Sequence, residues 1–249
     1  MNFLRMKNTT IFRGTILVSL ILFLGFSMAC IAQKPSEAPT TDKVQTIKKG
    51  KFTLVFECKA PLFSQEINQK LIDTYFKVYP KLVKQYNKKA TKIVTFVIDP
   101  DYDGVAGTSN DKVVFSVKYM TAHPNDIDVV THETMHIAQS YGDESGIPGW
   151  LTEGIADYAR YAFGVGNEKA GWSLPKFSTS QNYQNSYRIT ARFLAWLEYS
   201  GHKGIVKKLD QAGRDKTYDD GEIWKKLTGK TIDELWLAYS QNPTIPNVN

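Results

Sequence analysis

The 249-residue sequence is poor in cysteine, with Cys30 and Cys58 only. Two cysteines cannot build a disulfide framework, so a small stapled secreted scaffold is excluded. Histidine is scarce too: His123, His132, His136 and His202 are all the chain has. No second long apolar run follows residue 29, which excludes a polytopic membrane protein. There is no glycine-rich phosphate loop, no nucleophile elbow, no internal repeat and no basic–aromatic interleaving. A strong charge of one sign is also missing. The formal charge of +6 includes Arg5, Lys7 and Arg13 of residues 1–29; without that segment, 28 basic and 25 acidic residues leave +3. A small surplus spread along the chain is no nucleic-acid footprint. What is present, 42% hydrophobic and 22% charged residues, lies in the globular range and rules out wholesale disorder.

Residues 1–29 read as an export signal. A basic segment to Gly14 precedes the uncharged run Thr15 to Ala29, which has signal-peptide length and is short for a bilayer span. Two cleavage sites compete. Ser27-Met28-Ala29-Cys30 resembles a bacterial lipobox, with Ser27 where such boxes usually carry Leu, and would leave Cys30 as a lipidated N-terminus. Cys30-Ile31-Ala32 is small at both flanking positions and would be cut before Gln33. An uncleaved anchor is the third possibility. Residues 30–50 are polar, with Pro35, Pro39, Thr40 and Thr41, and read as a flexible linker. Residues 51–249 suit one domain with a sizeable core.

Within it, Phe52 to Cys58, Lys92 to Ile98 and Lys112 to Lys118 alternate or run apolar as strands do. Cys58 falls in the first as a core residue. Ser64 is placed to cap a helix through about Asn87, which Pro80 is expected to kink or restart. Asn125 is placed to cap a helix that runs to Tyr141 and stops at Gly142. A Gly/Pro loop, Gly146 to Gly149, leads to a helix over Trp150 to Phe163. Further helices are expected near 184–200, 203–212, 219–228 and 231–241, the last opened by a capping box of Thr231 and Glu234. Strands first and helices after predict an α+β fold.

The chemistry lies in His132-Glu133-Thr134-Met135-His136, the H-E-x-x-H pattern on a predicted helix. A spacing of four puts both imidazoles on one face, one turn apart. Both then reach one zinc at roughly 2.0–2.1 Å. Glu133 projects beside them toward water on the metal. The bare pattern also arises from two ordinary helical histidines beside a glutamate. Glu153, seventeen residues after His136, offers the third ligand that a catalytic zinc needs, with one position left open. Asp157 shares its face and has the spacing to accept the Nδ1–H of a ligand histidine. Two acids on the inward stripe of an apolar helix (Leu151, Ile155, Ala156, Ala159) would cost several kcal/mol unless paired or metal-bound. The strand 112–118, if exposed at a sheet edge, would pair with an extended peptide; an interior strand fits the sequence equally. Tyr187 is a candidate oxyanion donor, or one structural tyrosine among 13.

Together these residues resemble the basic secretory protein family of zincin-like proteins of plants and bacteria. The matching stretches are Asp103-Gly104-Val105-Ala106 with Thr108-Ser109-Asn110, then His132-Glu133 and His136, Pro148-Gly149, and Glu153-Gly154-Ile155-Ala156-Asp157-Tyr158. Tyr187, Thr190 to Leu194, Leu227 to Thr231 and Leu235-Trp236 follow in the same order. The resemblance implies a zincin-like fold, a small sheet followed by a helical region with the H-E-x-x-H helix at the active site, and a metallopeptidase activity. Trp150 stands where plant relatives are expected to have Gly, and Arg188 where Asp is expected; both bear on the substrate cleft.

The sequence therefore predicts an exported zinc metallopeptidase, either a cell-envelope lipoprotein anchored through Cys30 or a secreted protein. His132, His136 and Glu153 would hold zinc, Glu133 would activate water on it, and Asp157 would orient a histidine from behind. The partner is a peptide or protein substrate, with no nucleic acid and no membrane contact beyond the lipid anchor; oligomeric state stays open. The competing readings are a non-catalytic surface binding module of the same fold, and a zinc hydrolase of a cell-wall or glycan-linked amide.

Overall fold

The computed structural model describes residues 43–246. The export signal, both cleavage sites, Cys30 and the linker up to Asp42 lie outside them. Strand β1 (Lys43–Lys49) pairs antiparallel with β2 (Phe52–Cys58), from Lys43 opposite Cys58 to Lys49 opposite Phe52. The linker expected over 30–50 is thus corrected at its C-terminal end. Only Val44 and Ile47 are apolar there, too few to signal a strand; the partner β2 supplies the ladder.

β2 alternates buried and half-buried residues, and Phe52, Leu54, Phe56 and Cys58 all face the core. Helix α1 (Gln65–Gln85) starts where Ser64 Oγ accepts from the Ile67 amide at 3.3 Å. It continues through Pro80 as one helix and does not restart there. Proline forfeits one backbone hydrogen bond, but Tyr75, Val78, Tyr79 and Leu82 on either side are fully buried, and burial of an apolar face outweighs local propensity. Tyr75 meets Phe96 edge-on at 5.4 Å and Tyr79 meets Phe52 at 5.7 Å.

Strands β3 (Ile93–Asp99), β4 (Ala106–Ser109) and β5 (Lys112–Ser116) complete a mixed sheet of order β1-β2-β3-β5-β4. β2, β3 and β5 run parallel, while β4 pairs antiparallel with β5. The predicted strand 112–118 is therefore interior, and the edge on its side of the sheet is β4. The strand also ends early, because Ser116 Oγ accepts from the Tyr119 amide and caps helix α2 (Val117–Ala122).

Helix α3 (Val129–Gln139) carries residues 132–136, and α4 (Gly149–Phe163) carries Glu153 and Asp157. Then come α5 (Tyr187–Tyr199), α6 (Ile205–Arg214), α7 (Ile223–Thr228) and α8 (Ile232–Gln241), the last with the expected Thr231–Glu234 capping box. A small mixed sheet and eight helices among the described residues make the fold α+β. No helix among them is long and apolar enough to cross a membrane.

α3 starts three residues later than Asn125 predicts, at Asp128. The Asp128 carboxylate is fully buried and accepts from the amides of Val165 and Gly166 and from Thr131 Oγ1. At the other end Ser140 turns the chain in the left-handed region (φ 48°). The last carbonyls of a helix lack intrahelical partners. Here Asn87 Nδ2 donates to Ala138 O at 2.9 Å and Arg214 Nη1 to Gln139 O at 3.3 Å. Both ends of this short helix are held by remote residues, which fixes it along its axis.

α4 and α5 pack closely at Gly154. A Cβ added there would lie 2.2 Å from Thr190 Cγ2, and Thr190 is fully buried with its hydroxyl bound to Tyr183 O at 2.6 Å. Gly154→Ala is expected to lower stability by about 1–3 kcal/mol through overpacking. Gly149→Ala, in the same helix with nothing within 4 Å, is expected to be neutral or stabilising, as Ala favours helix. Denaturant unfolding of the two variants tests this, and equal stabilities would contradict the close approach.

Candidate metal centre

Two helices bring three donor atoms to one point. His132 Nε2 and His136 Nε2 lie 3.2 Å apart. Glu153 Oε2 is 3.2 Å from the first and 3.5 Å from the second. Among the described residues, His132, His136 and Glu153 form a group whose ligand atoms all lie within 4.8 Å of one another. The i, i+4 spacing on α3 stacks the imidazoles one turn apart, and α4 returns Glu153 to the same face.

The donor set fits a metal because the opposite side of each imidazole is already committed. His132 Nδ1–H donates to Asp157 Oδ1 at 2.7 Å. His136 Nδ1–H donates to Gln139 Oε1 at 2.7 Å, and the Gln139 amide is oriented in turn by donating to Thr152 O at 2.9 Å. A proton on each Nδ1 leaves each Nε2 lone pair for the shared point. Two imidazoles and one carboxylate suit zinc with one open position. Burial alone would lower the His132 pKa, but hydrogen bonds to Asp157 and Glu153 overcome it and push it up to about 10. Burial alone would raise the Glu153 carboxyl; hydrogen bonds from His132 and His136 hold it well below the usual carboxylate range.

Sequence spacing identifies His132, His136, Glu153 and Asp157, and the fold brings all four together. It misses Gln139 and Thr108. Gln139 sits one turn past His136, a spacing that signals a shared face but no role. Thr108 is remote in sequence. From edge strand β4 its hydroxyl lies 2.7 Å from Glu133 Oε2 and 3.0 Å from Glu133 O, so it anchors a glutamate that is only 6% exposed.

These residues line a cavity of about 1010 Å³. Val105 and the β4 residues Ala106, Gly107 and Thr108 form one wall; Tyr187 and Arg188, from the first turn of α5, form another. Tyr187 is 54% exposed, and its ring lies parallel to His132 at 6.1 Å. The carboxylate of Glu153, then burial, Asp157 and Glu133, raise its phenol pKa, so it remains a hydrogen-bond donor at neutral pH. Ser186 and Tyr187 both have positive φ, 67° and 47°, a conformation that costs roughly 1–3 kcal/mol per residue and clusters at functional sites. Arg160 closes the far wall, paired with Asp126 and lying over Trp172 at 4.5 Å.

The protein is expected to take up one zinc per chain, less tightly as pH falls because protons compete for the imidazoles. Glu153→Ala is expected to abolish tight binding. Asp157→Asn and Gln139→Leu are expected to weaken it roughly 10–100-fold, since each unsettles one imidazole from behind. Chelator competition measures all three. Zinc retained by Glu153→Ala but lost by Asp157→Asn would reverse the two roles.

Among curated proteins, none matches the sequence significantly. Several solved structures align at low similarity. A mutant of the M1 zinc metallopeptidase from Deinococcus radiodurans is 13% identical with a TM-score of 0.48, over 84% of this chain and 53% of that one. Aminopeptidase A from Legionella pneumophila is 13% identical with a TM-score of 0.47, over 79% of this chain and 27% of that one. An aminopeptidase N family protein from Idiomarina loihiensis is 11% identical with a TM-score of 0.44, over 82% and 44% respectively. This chain thus spans about half the length of the first and less of the others. A family model described as a peptidase of plants and bacteria matches residues 51–239. On that match, which takes in both helices of the metal centre and the edge strand, the chain belongs to the basic secretory protein family.

Proposed function

We propose that this protein is an exported zinc-dependent peptidase that cleaves extended peptides lying along β4. The observation that carries this reading is the pairing of an open three-donor cluster with a glutamate held beside it. A purely structural metal site is closed by four protein ligands and has no use for Glu133, whose carboxylate Thr108 anchors at 2.7 Å. That argues against a surface module without turnover. His132, His136 and Glu153 would hold the zinc, which when bound supplies a Lewis acid that polarises the scissile carbonyl and acidifies a water beside it.

The remaining steps belong to side chains. Glu133 accepts a proton as the water oxygen attacks the carbonyl carbon. Tyr187 donates its hydroxyl to the negative charge developing on the carbonyl oxygen. Glu133 then passes the proton to the amine nitrogen, and the C–N bond breaks. Asp157 and Gln139 keep both imidazoles in register throughout. Among the described residues β4 pairs with β5 alone, and an antiparallel peptide on its other side would present its carbonyls in a fixed register beside α3. In this reading the chain is exported under the signal of residues 1–29 and works at the cell envelope, through a lipid on Cys30, or in the medium.

Glu133→Gln is expected to keep zinc and lose roughly 10²–10⁴-fold in kcat, the usual worth of a positioned acid–base group. Turnover equal to wild type on a mixed peptide library would remove Glu133 from the mechanism. No chelator-sensitive cleavage by the wild type would favour the binding module or the amidase of cell-wall material. Tyr187→Phe is expected to lower kcat with little change in KM, because its hydroxyl acts only in the transition state. Unchanged kinetics would return Tyr187 to a wall residue.

A further inference from the structure

We propose that Arg188 makes the cleft selective for a substrate carboxylate close to the scissile bond. The inference rests on the peptidase reading and adds the class of peptide it accepts.

The charged side chains of the cleft are nearly all spoken for. Asp126 pairs with Arg160, and Asp157 with His132. Glu153 faces both imidazoles, and Glu133 is held by Thr108. Arg188 is the exception. It is exposed and lines the same cavity, and among the described residues no acid lies within ion-pair distance of it. Its single recorded contact is Nη1 to Ser173 O at 3.5 Å, a length at which a hydrogen bond is weak. The rest of the guanidinium fork is left for a ligand.

A planar fork of N–H donors matches a carboxylate in two parallel bonds. The position is not accidental. Arg188 follows Tyr187, whose ring lies parallel to His132 at 6.1 Å, and both line the cleft of the candidate metal centre. The preceding turn is rigid. Asn182 and Asn185 form a reciprocal capping box, and Thr190 Oγ1 bonds Tyr183 O at 2.6 Å. The two positive-φ residues Ser186 and Tyr187 complete it. The turn fixes where the Arg188 side chain starts, while ordering the exposed side chain on an anion still costs roughly 0.5–1.5 kcal/mol. The carboxylate has two sources, an Asp or Glu side chain or the free C-terminus of a short peptide.

The zinc-loaded protein and its Arg188→Gln, Arg188→Lys and Arg188→Glu variants would be assayed on one internally quenched peptide family. Each member carries Gln or Glu at one position flanking the cleaved bond, and ends in an amide or a free acid. The wild type is expected to prefer one acid over its neutral counterpart by roughly 10- to 100-fold in kcat/KM, the range of a charged hydrogen-bonded pair. The ratio is expected to fall to about one in Arg188→Gln, to invert in Arg188→Glu and to be partly kept in Arg188→Lys. A preference confined to the Glu members assigns a side-chain carboxylate; one confined to the free acids assigns the C-terminus. The same peptides would be titrated against the Glu133→Gln protein by fluorescence, which reads carboxylate selection without turnover. Absence of cleavage with the binding preference intact would overturn the peptidase reading alone. A flat ratio in both assays with Arg188 intact, or a preference unchanged when Arg188→Gln is introduced, would overturn the role of Arg188.

Discussion

A hydrogen bond of 2.7 Å from His132 Nδ1–H to the Asp157 carboxylate ties α3 to α4 at the point where the donors meet. It settles the tautomer of one imidazole, the distance between two helices and the direction in which a lone pair points. Asp157 is 5% exposed, so this carboxylate has lost nearly all its water and depends on its partner. A buried acid left unpaired costs several kcal/mol. The helix pair therefore cannot drift apart without exposing or orphaning that charge. Gln139 makes the matching arrangement behind His136 with a neutral amide, oriented by Thr152 O. Both imidazoles of the candidate metal centre are thus oriented from behind.

The same logic governs the ends of α3. An eleven-residue helix is marginal on propensity alone. The Asp128 carboxylate at its start accepts from the loop amides of Val165 and Gly166, and Asn87 and Arg214 donate to its last carbonyls. Arg214 also reaches Tyr86 O at 3.0 Å and Asp210 at 2.8 Å, so α6 and the end of α1 share one guanidinium with α3. The cluster gains its geometry from residues spread over most of the domain.

The cleft divides into a rigid back and two working walls. Arg160, between Asp126 and the Trp172 ring, pins the segment after α4. Edge strand β4 offers backbone, and the first turn of α5 offers Tyr187 and Arg188. A backbone wall is indifferent to sequence while a charged side-chain wall is not, so in the proposed reading register belongs to β4 and selectivity to α5.

Short-range spacing was enough to find much of this protein. The i, i+4 histidines, Glu153 and Asp157 were legible because each pair sits on one helix, where 3.6-residue periodicity fixes a common face. The alternation of β2 and the capping box of α8 were legible for the same local reason. What could not be read was set by partners far along the chain. β1 exists because β2 offers a ladder to a weakly patterned segment, and α1 survives Pro80 because its flanking residues are buried. The start of α3 moved from Asn125 to Asp128 because amides thirty-seven and thirty-eight residues away needed an acceptor. The edge beside β5 fell to β4, since strand order follows from pairing and not from sequence order. Thr108 acquired its place beside Glu133 only when β4 folded against α3. The sequence by itself determined which donors exist and which faces they share. The tertiary structure decided which groups stand behind them and which walls they face, because hydrogen bonds and burial act through space and leave no period in the chain.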